Sequence, residues 1–112
     1  MKIILKGNPL STQHIYGTSG RRRFMYQDAV NLKTSYCYDA KRQWKGKPIE
    51  GDINLKIDLF FGDKRKRDWD NFHKLTMDAL TNIVYFDDSQ IQTALVSKKY
   101  DKDNPRTEIT VL

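Results

Sequence analysis

Cysteine is all but missing from the chain. Cys37 stands alone among 112 residues, which excludes an intramolecular disulfide and any cysteine-built zinc site. Glutamate is nearly as scarce, since 12 of the 14 acidic residues are aspartate. No apolar run approaches the roughly 20 residues that span a bilayer, and the opening Met1-Lys2-Ile3-Ile4-Leu5-Lys6 is too short for a signal peptide. These absences set the expectation of a reduced, cytoplasmic protein with no membrane partner. Only 3 prolines and 6 glycines are present, with no linker, repeat or low-complexity tail. A chain of this length is expected to form a single domain over residues 1–112.

Positive charge, by contrast, is abundant. Lys and Arg number 20 against 14 acids, a net of +6, which favours a polyanionic partner. The balance is uneven along the chain. Residues 1–50 hold 10 basic and 3 acidic residues, a net of +7, whereas residues 51–112 hold 10 basic and 11 acidic residues, a net of −1. Five aspartates fall between positions 68 and 88. A merely solvated helical surface would favour Glu, the better helix former. Short carboxylates gathered in one stretch suit a hard cation such as Mg²⁺, because little side-chain freedom is lost on binding.

Hydrophobic spacing predicts the elements. Lys2 to Lys6 reads as a first strand, ended by Gly7-Asn8-Pro9. Residues 17–23, Gly-Thr-Ser-Gly-Arg-Arg-Arg, read as an exposed, mobile basic loop. From Tyr26 to Trp44 the residues Ala29, Leu32, Tyr36 and Ala40 share one helical face, stopped by Gly46-Lys47-Pro48. Ile53, Leu55, Ile57 and Leu59 alternate with Asp52, Asn54, Lys56 and Asp58, the pattern of a strand with one buried and one wet face. A helix is predicted from Asp70 to about Ile83, with Phe72, Leu75, Ala79 and Ile83 inward. Ile91–Tyr100 and Arg106–Leu112 read as a hairpin. The order β-α-β-α-β-β predicts an α+β fold, a mixed sheet with two helices packed on it.

Chemistry concentrates in Arg67-Asp68-Trp69-Asp70-Asn71, then Lys74, Asp78 and Asp87-Asp88. If Asp68 and Asp70 leave a strand in extended conformation, their side chains point the same way about 7 Å apart. Asp70 is also placed to cap the next helix, and Lys74 follows one turn later on the same face. Carboxylates around one concavity repel unless a cation joins them. A Mg²⁺ ion resolves that repulsion and activates water against a phosphodiester, with Lys74 stabilising the charge that develops. Lys64, Arg65, Lys66 and Arg67 are candidates for holding flanking phosphates, as are Arg21, Arg22 and Arg23. His14 reads as a polar loop residue, His73 as a surface or supporting residue, and Trp69 and Phe86 as packing beneath the site. A metal-dependent nuclease uses every part of the segment. The alternatives are a non-catalytic basic nucleic-acid-binding module, and a nuclease for other branched DNA.

The run Arg67-Asp68-Trp69-Asp70-Asn71-Phe72-His73-Lys74, then Asp78-Ala79-Leu80, then Asp87-Asp88-Ser89-Gln90-Ile91, resembles the RusA family of Holliday junction resolvases. The family pattern is Asp-x-Asp-Asn, a Lys four residues after the second Asp, Asp-Ala-Leu, and a later Asp-Asp-x-Gln-[Ile/Val]. Gly7-Asn8-Pro9-Leu10-Ser11 looks like the family's early Pro-Ser segment, though Thr12-Gln13-His14 stands where the family often has an Asn. The resemblance implies a homodimeric, Mg²⁺-dependent endonuclease that resolves four-way DNA junctions by paired symmetric cuts. It implies Asp68, Asp70 and Asp88 as metal-binding acids and Lys74 as the catalytic lysine. A two-fold protein matches the near two-fold symmetry of a four-way junction.

Overall fold

In the computed structural model, which describes residues 1–112, four strands form the main sheet: β1 (Lys2–Lys6), β4 (Ile53–Phe61), β5 (Ile91–Tyr100) and β6 (Arg106–Val111). Two shorter strands, β2 (Tyr16–Ser19) and β3 (Arg22–Met25), pair only with each other. The helices are α1 (Gln27–Gln43) and α2 (Lys74–Leu80). The expected α+β architecture and element order are therefore present, with the β2–β3 pair added.

The sheet order is β1-β6-β4-β5. Its inner face is written in the period-2 pattern of β4, where Ile53, Leu55, Ile57, Leu59 and Phe61 are all buried. Ile3 and Leu5 of β1 and Ile109 of β6 extend this face. Helix α1 lays Ala29, Tyr36 and Ala40 on it, and α2 contributes Leu75, Met77, Ala79 and Leu80. Burying each large aliphatic side chain contributes roughly 1.5–3 kcal/mol. Side chains of α1 also close the free edge of β1. Gln43 accepts from the Ile4 N–H at 2.8 Å and donates to its carbonyl at 2.7 Å, and the buried Asp39 accepts from the Lys6 N–H at 3.0 Å. An edge that would otherwise invite another chain is thereby satisfied.

Five details depart from the sequence expectation. Residues 17–23 are not an irregular loop; they fold as the β2–β3 hairpin, turning at Gly20 with φ 62°. The Arg23 guanidinium stacks 3.9 Å from the Tyr16 ring and ties the two strands together. β5 and β6 do not form a hairpin. β6 pairs antiparallel with both β1 and β4, while β5 pairs parallel with β4 on its other side. The chain between them crosses the end of β4, where the Asp101 N–H donates to the Phe61 carbonyl at 2.9 Å. Asp58 is not wet. It is buried on the outer face, under Lys56 at 3.9 Å and Lys99 at 3.5 Å, because long basic side chains cover this face.

The predicted helix from Asp70 to Ile83 is much shorter. A 3₁₀ turn occupies Trp69–Asn71, Phe72 breaks the spiral at φ −128° and ψ 18°, and α2 runs only over Lys74–Leu80. The Phe72 ring is drawn into an edge-on contact with Phe61, centroids 5.0 Å apart, which outweighs helix propensity. Thr81 and Asn82 end the helix, Asn82 with φ 67°. Neither Asp68 nor Asp70 caps anything. Both are therefore released from the structural role that a helix start would give them.

Candidate active site

The segment after β4 doubles back across the sheet. Its first turn is fixed by Asp63, whose carboxylate accepts from the Arg65 N–H at 3.0 Å and pairs with the Arg67 guanidinium at 2.8 Å. The Arg65 backbone and side-chain bonds, with help from Arg67, hold the Asp63 carboxyl down at about 2. Arg67 is largely covered, lies 4.2 Å from the Phe61 ring, and donates to the carbonyls of Asp63 and Arg65. Its guanidinium braces the turn, whereas Arg65 and Lys66 remain exposed. The Lys64 ammonium stands 4.9 Å over the Tyr100 ring. Lys98 donates to the Arg67 carbonyl and pins the segment onto β5.

Asp68 follows in extended conformation, φ −81° and ψ 134°, and Asp70 lies inside the 3₁₀ turn. The doubled-back segment now sits near the start of β5, where a second 3₁₀ turn, Asp88–Gln90, carries the last acid. Because β5 is parallel to β4, with Ile53 opposite Ile91, Asp88 lies at the end of β4 away from Phe61. The return of residues 62–73 is what brings the two acidic stretches toward each other.

The structure separates the acids by what they are bonded to. Asp87 is occupied: it closes a capping box with Gln90 and accepts from Ser89 at 2.5 Å. Asp78 is occupied by Lys74, Nζ to Oδ2 3.1 Å. Asp68, Asp70 and Asp88 are all exposed, and the local ion pairs and caps run through Asp63, Asp78 and Asp87 instead. Lys74 is raised above its usual range, first by its bond to Asp78, with smaller contributions from Tyr16 and Asp88. The structure therefore brings Lys74, Asp88 and the base of the β2–β3 hairpin into one neighbourhood. Asp70 adds its field to His73, whose pKa burial nevertheless pushes down.

The three free carboxylates are not drawn together. No cluster of three or more His, Cys, Asp or Glu side chains is close enough to hold a metal ion. The donor set still fits a hard cation, being all oxygen, all exposed and free of competing partners.

Sequence reasoning passed over two features. Gln90 uses its whole amide: Oε1 accepts from the N–H groups of Phe86 at 2.8 Å and Asp87 at 2.9 Å, and Nε2 donates to the carbonyls of Ile49 and Gly51 at 2.8 Å each. It positions the Asp88 turn. The second is a polar cleft of about 430 Å³ between the N-terminal loop and residues 65–72, with Ser11, His14, Arg65, Lys66, Asp68 and Asn71 on its walls. Ser11 Oγ lies 2.6 Å from His14 Nδ1, and the Thr12 hydroxyl donates to the Asn71 carbonyl at 3.3 Å, so the loop and the turn carrying Asp70 are fastened together. The spacing Ser11-x-x-His14 was the available signal. Trp69 and Phe86, expected beneath the site, are instead 59% and 50% exposed.

The family model described as Endodeoxyribonuclease RusA matches residues 6–112. The chain belongs to the RusA family. That match takes in every residue just described, from the Ser11–His14 loop to the Asp88 turn, and it makes this RusA-family chain a DNA nuclease. No curated protein matches the sequence. No helix of the RusA-family chain is long and apolar enough to cross a membrane.

Proposed function

We propose that the chain, acting as one domain over residues 1–112 and as a homodimer, is a cytoplasmic, Mg²⁺-dependent endonuclease that resolves four-way DNA junctions by paired symmetric cuts near the crossover. The observation that carries this reading is the division among the acids: Asp68, Asp70 and Asp88 are free and exposed, while Asp78 and Asp87 beside them are engaged. Asp68, Asp70 and Asp88 would hold Mg²⁺, which when bound supplies an activated water and neutralises charge on the phosphodiester. Lys74, kept charged by Asp78, stabilises the oxyanion that develops as the P–O bond breaks. Ser11 and His14 face the cleft beside Asp68 and orient the phosphate there. Lys64, Arg65 and Lys66 hold flanking phosphates from one side, and Arg21, Arg22 and Arg23 do so from the hairpin on the other. Arg67 shapes this surface by bracing the turn at Asp63.

A non-catalytic junction-binding module is the second reading, favoured by the carboxylates standing apart. Cleavage of a labelled four-way junction, beside a linear duplex, with Mg²⁺ and with EDTA, separates the two. Symmetric nicks in the junction alone, lost with EDTA and in Asp70→Asn, are expected. Tight, salt-sensitive binding without cutting would instead make the protein a binding module.

A further inference from the structure

An apolar cavity of about 310 Å³ opens beside Asp88, on the opposite side of the Asp68–Asn71 turn from the polar cleft. Trp69 and His73 line one part of it, and Met77, Ile91, Ala94 and Val96 line another. It is an unusual feature to find between carboxylates and lysines, because water and phosphate gain nothing from apolar walls. Trp69 is exposed although it sits between two acids, and its ring is 6.5 Å from that of His73. The His73 Nε2 lies 2.7 Å from the Trp69 carbonyl. A carbonyl only accepts, so Nε2 carries the proton and Nδ1 of the neutral ring is an acceptor. That Nδ1 is buried and has no partner. The bond to Trp69 holds the His73 ring in place as a wall of the cavity.

We propose that this cavity receives an unstacked nucleobase from the junction, laid against the Trp69 ring. The proposal rests on the nuclease reading for its substrate. The chemistry of the occupant follows from the walls. A base has apolar faces for Ile91, Val96 and Trp69 and a polar edge for the mouth beside Asp88. The cavity is at the lower end of the usual size for small-ligand pockets, enough for one base and not for a duplex. Because it opens on Asp88, a strand whose phosphate lies among the carboxylates carries an adjacent base within reach. Bases at the point of strand exchange are the least costly in a junction to unstack. The cavity would therefore favour the crossover over an intact duplex.

The test reads Trp69 directly. In a Trp44→Phe background Trp69 is the sole tryptophan, and its fluorescence is titrated with a four-way junction in the absence of divalent cations. Quenching is expected with the intact junction and is expected to vanish when the nucleotides flanking the exchange point are abasic. Ala94→Phe, on exposed β5, fills the cavity while leaving every acid and Lys74 in the sequence. It should abolish the quenching, weaken junction binding roughly tenfold, and leave duplex binding unchanged. Trp69→Leu should weaken junction binding similarly. Quenching that survives the abasic substitution or Ala94→Phe would overturn the proposal. So would conversion of a dimer to a monomer by Ala94→Phe in light scattering, since the cavity would then seat a second copy. Cleavage measured in parallel keeps the readings apart: quenching without cutting refutes the nuclease alone, and cutting without quenching refutes the base pocket alone.

Discussion

Asp87 and Gln90 cap each other: the Asp87 carboxylate accepts the Gln90 N–H, and the Gln90 side-chain oxygen accepts the Asp87 N–H at 2.9 Å. The first aspartate of the pair is thus a structural residue, and the second is left free. Asp87→Ala is expected to lower stability by about 1 kcal/mol, as loss of a cap does, and to reduce cleavage only in proportion to the folded fraction. Asp88→Asn should change stability by less than about 0.5 kcal/mol, as exposed substitutions do, and reduce cleavage at least about a hundredfold. Urea melts and single-turnover cleavage on the two variants check the division. A reversed pattern would assign the metal to Asp87.

The loop that carries Asp68 is sensitive to acid through Asp63. Its carboxyl titrates at about 2, below the ordinary 3.8, because the bonded form is the ionised one. A depressed folded value contributes stability that is complete above the unfolded value and disappears as pH falls toward the folded one. The urea midpoint of the wild type should therefore drop between about pH 4 and about pH 2. Asp63→Asn should show a shallower fall across the same window, starting from a slightly lower midpoint at neutral pH. Parallel curves for the two proteins would refute this role.

Lys74 is expected to act through its charge. Replacing it with Ala should cut the rate by about 10²–10³, the range for a single oxyanion donor, with junction affinity nearly unchanged. Since the bond to Asp78 raises its pKa, no descending limb from lysine deprotonation is expected anywhere short of the ordinary lysine range. A limb near neutrality that disappears in Lys74→Arg would contradict this.

The basic residues divide into two kinds. Arg21 and Arg22 are exposed on the hairpin, so replacing both with Ala in each protomer of a dimer should lower the salt slope of junction binding by about 3.6, or 0.9 for each of four phosphate contacts. Arg67, paired with Asp63 and stacked on Phe61, should instead lower the melting temperature when truncated. Equal effects on salt slope from Arg67→Ala and Arg22→Ala would remove the distinction.

How far the sequence reveals this molecule depends on whether a signal is local. The alternation along β4 and the face of α1 are set by period alone, and both elements lie within a residue of their expected bounds. The acids and Lys74 were visible because their types and spacing stand out. What period could not show is which strands meet. Ile91–Tyr100 and Arg106–Val111 read as a hairpin, yet β4 lies between them, a choice made by long-range packing of Thr107 and Ile109. Nor does spacing reveal competition: Phe72 leaves the helix for Phe61, and that single ring contact frees Asp70 from any cap. The open acceptor on His73 depends on where a buried ring atom ends up, which no sequence pattern encodes.

β6 has a consequence for the birth of the protein on the ribosome. Of the four strands of the main sheet, the one that follows the others in the chain lies between β1 and β4, and neither of those pairs with the other. A nascent chain that has emerged only as far as Pro105 holds two strands facing an empty slot, with Ile3 and Ile57 awaiting Ile109. Residues 106–111 act as a latch, so closure is held back until translation has passed them. Prematurely terminated chains lacking this strand would present two open edges to the cell's proteases.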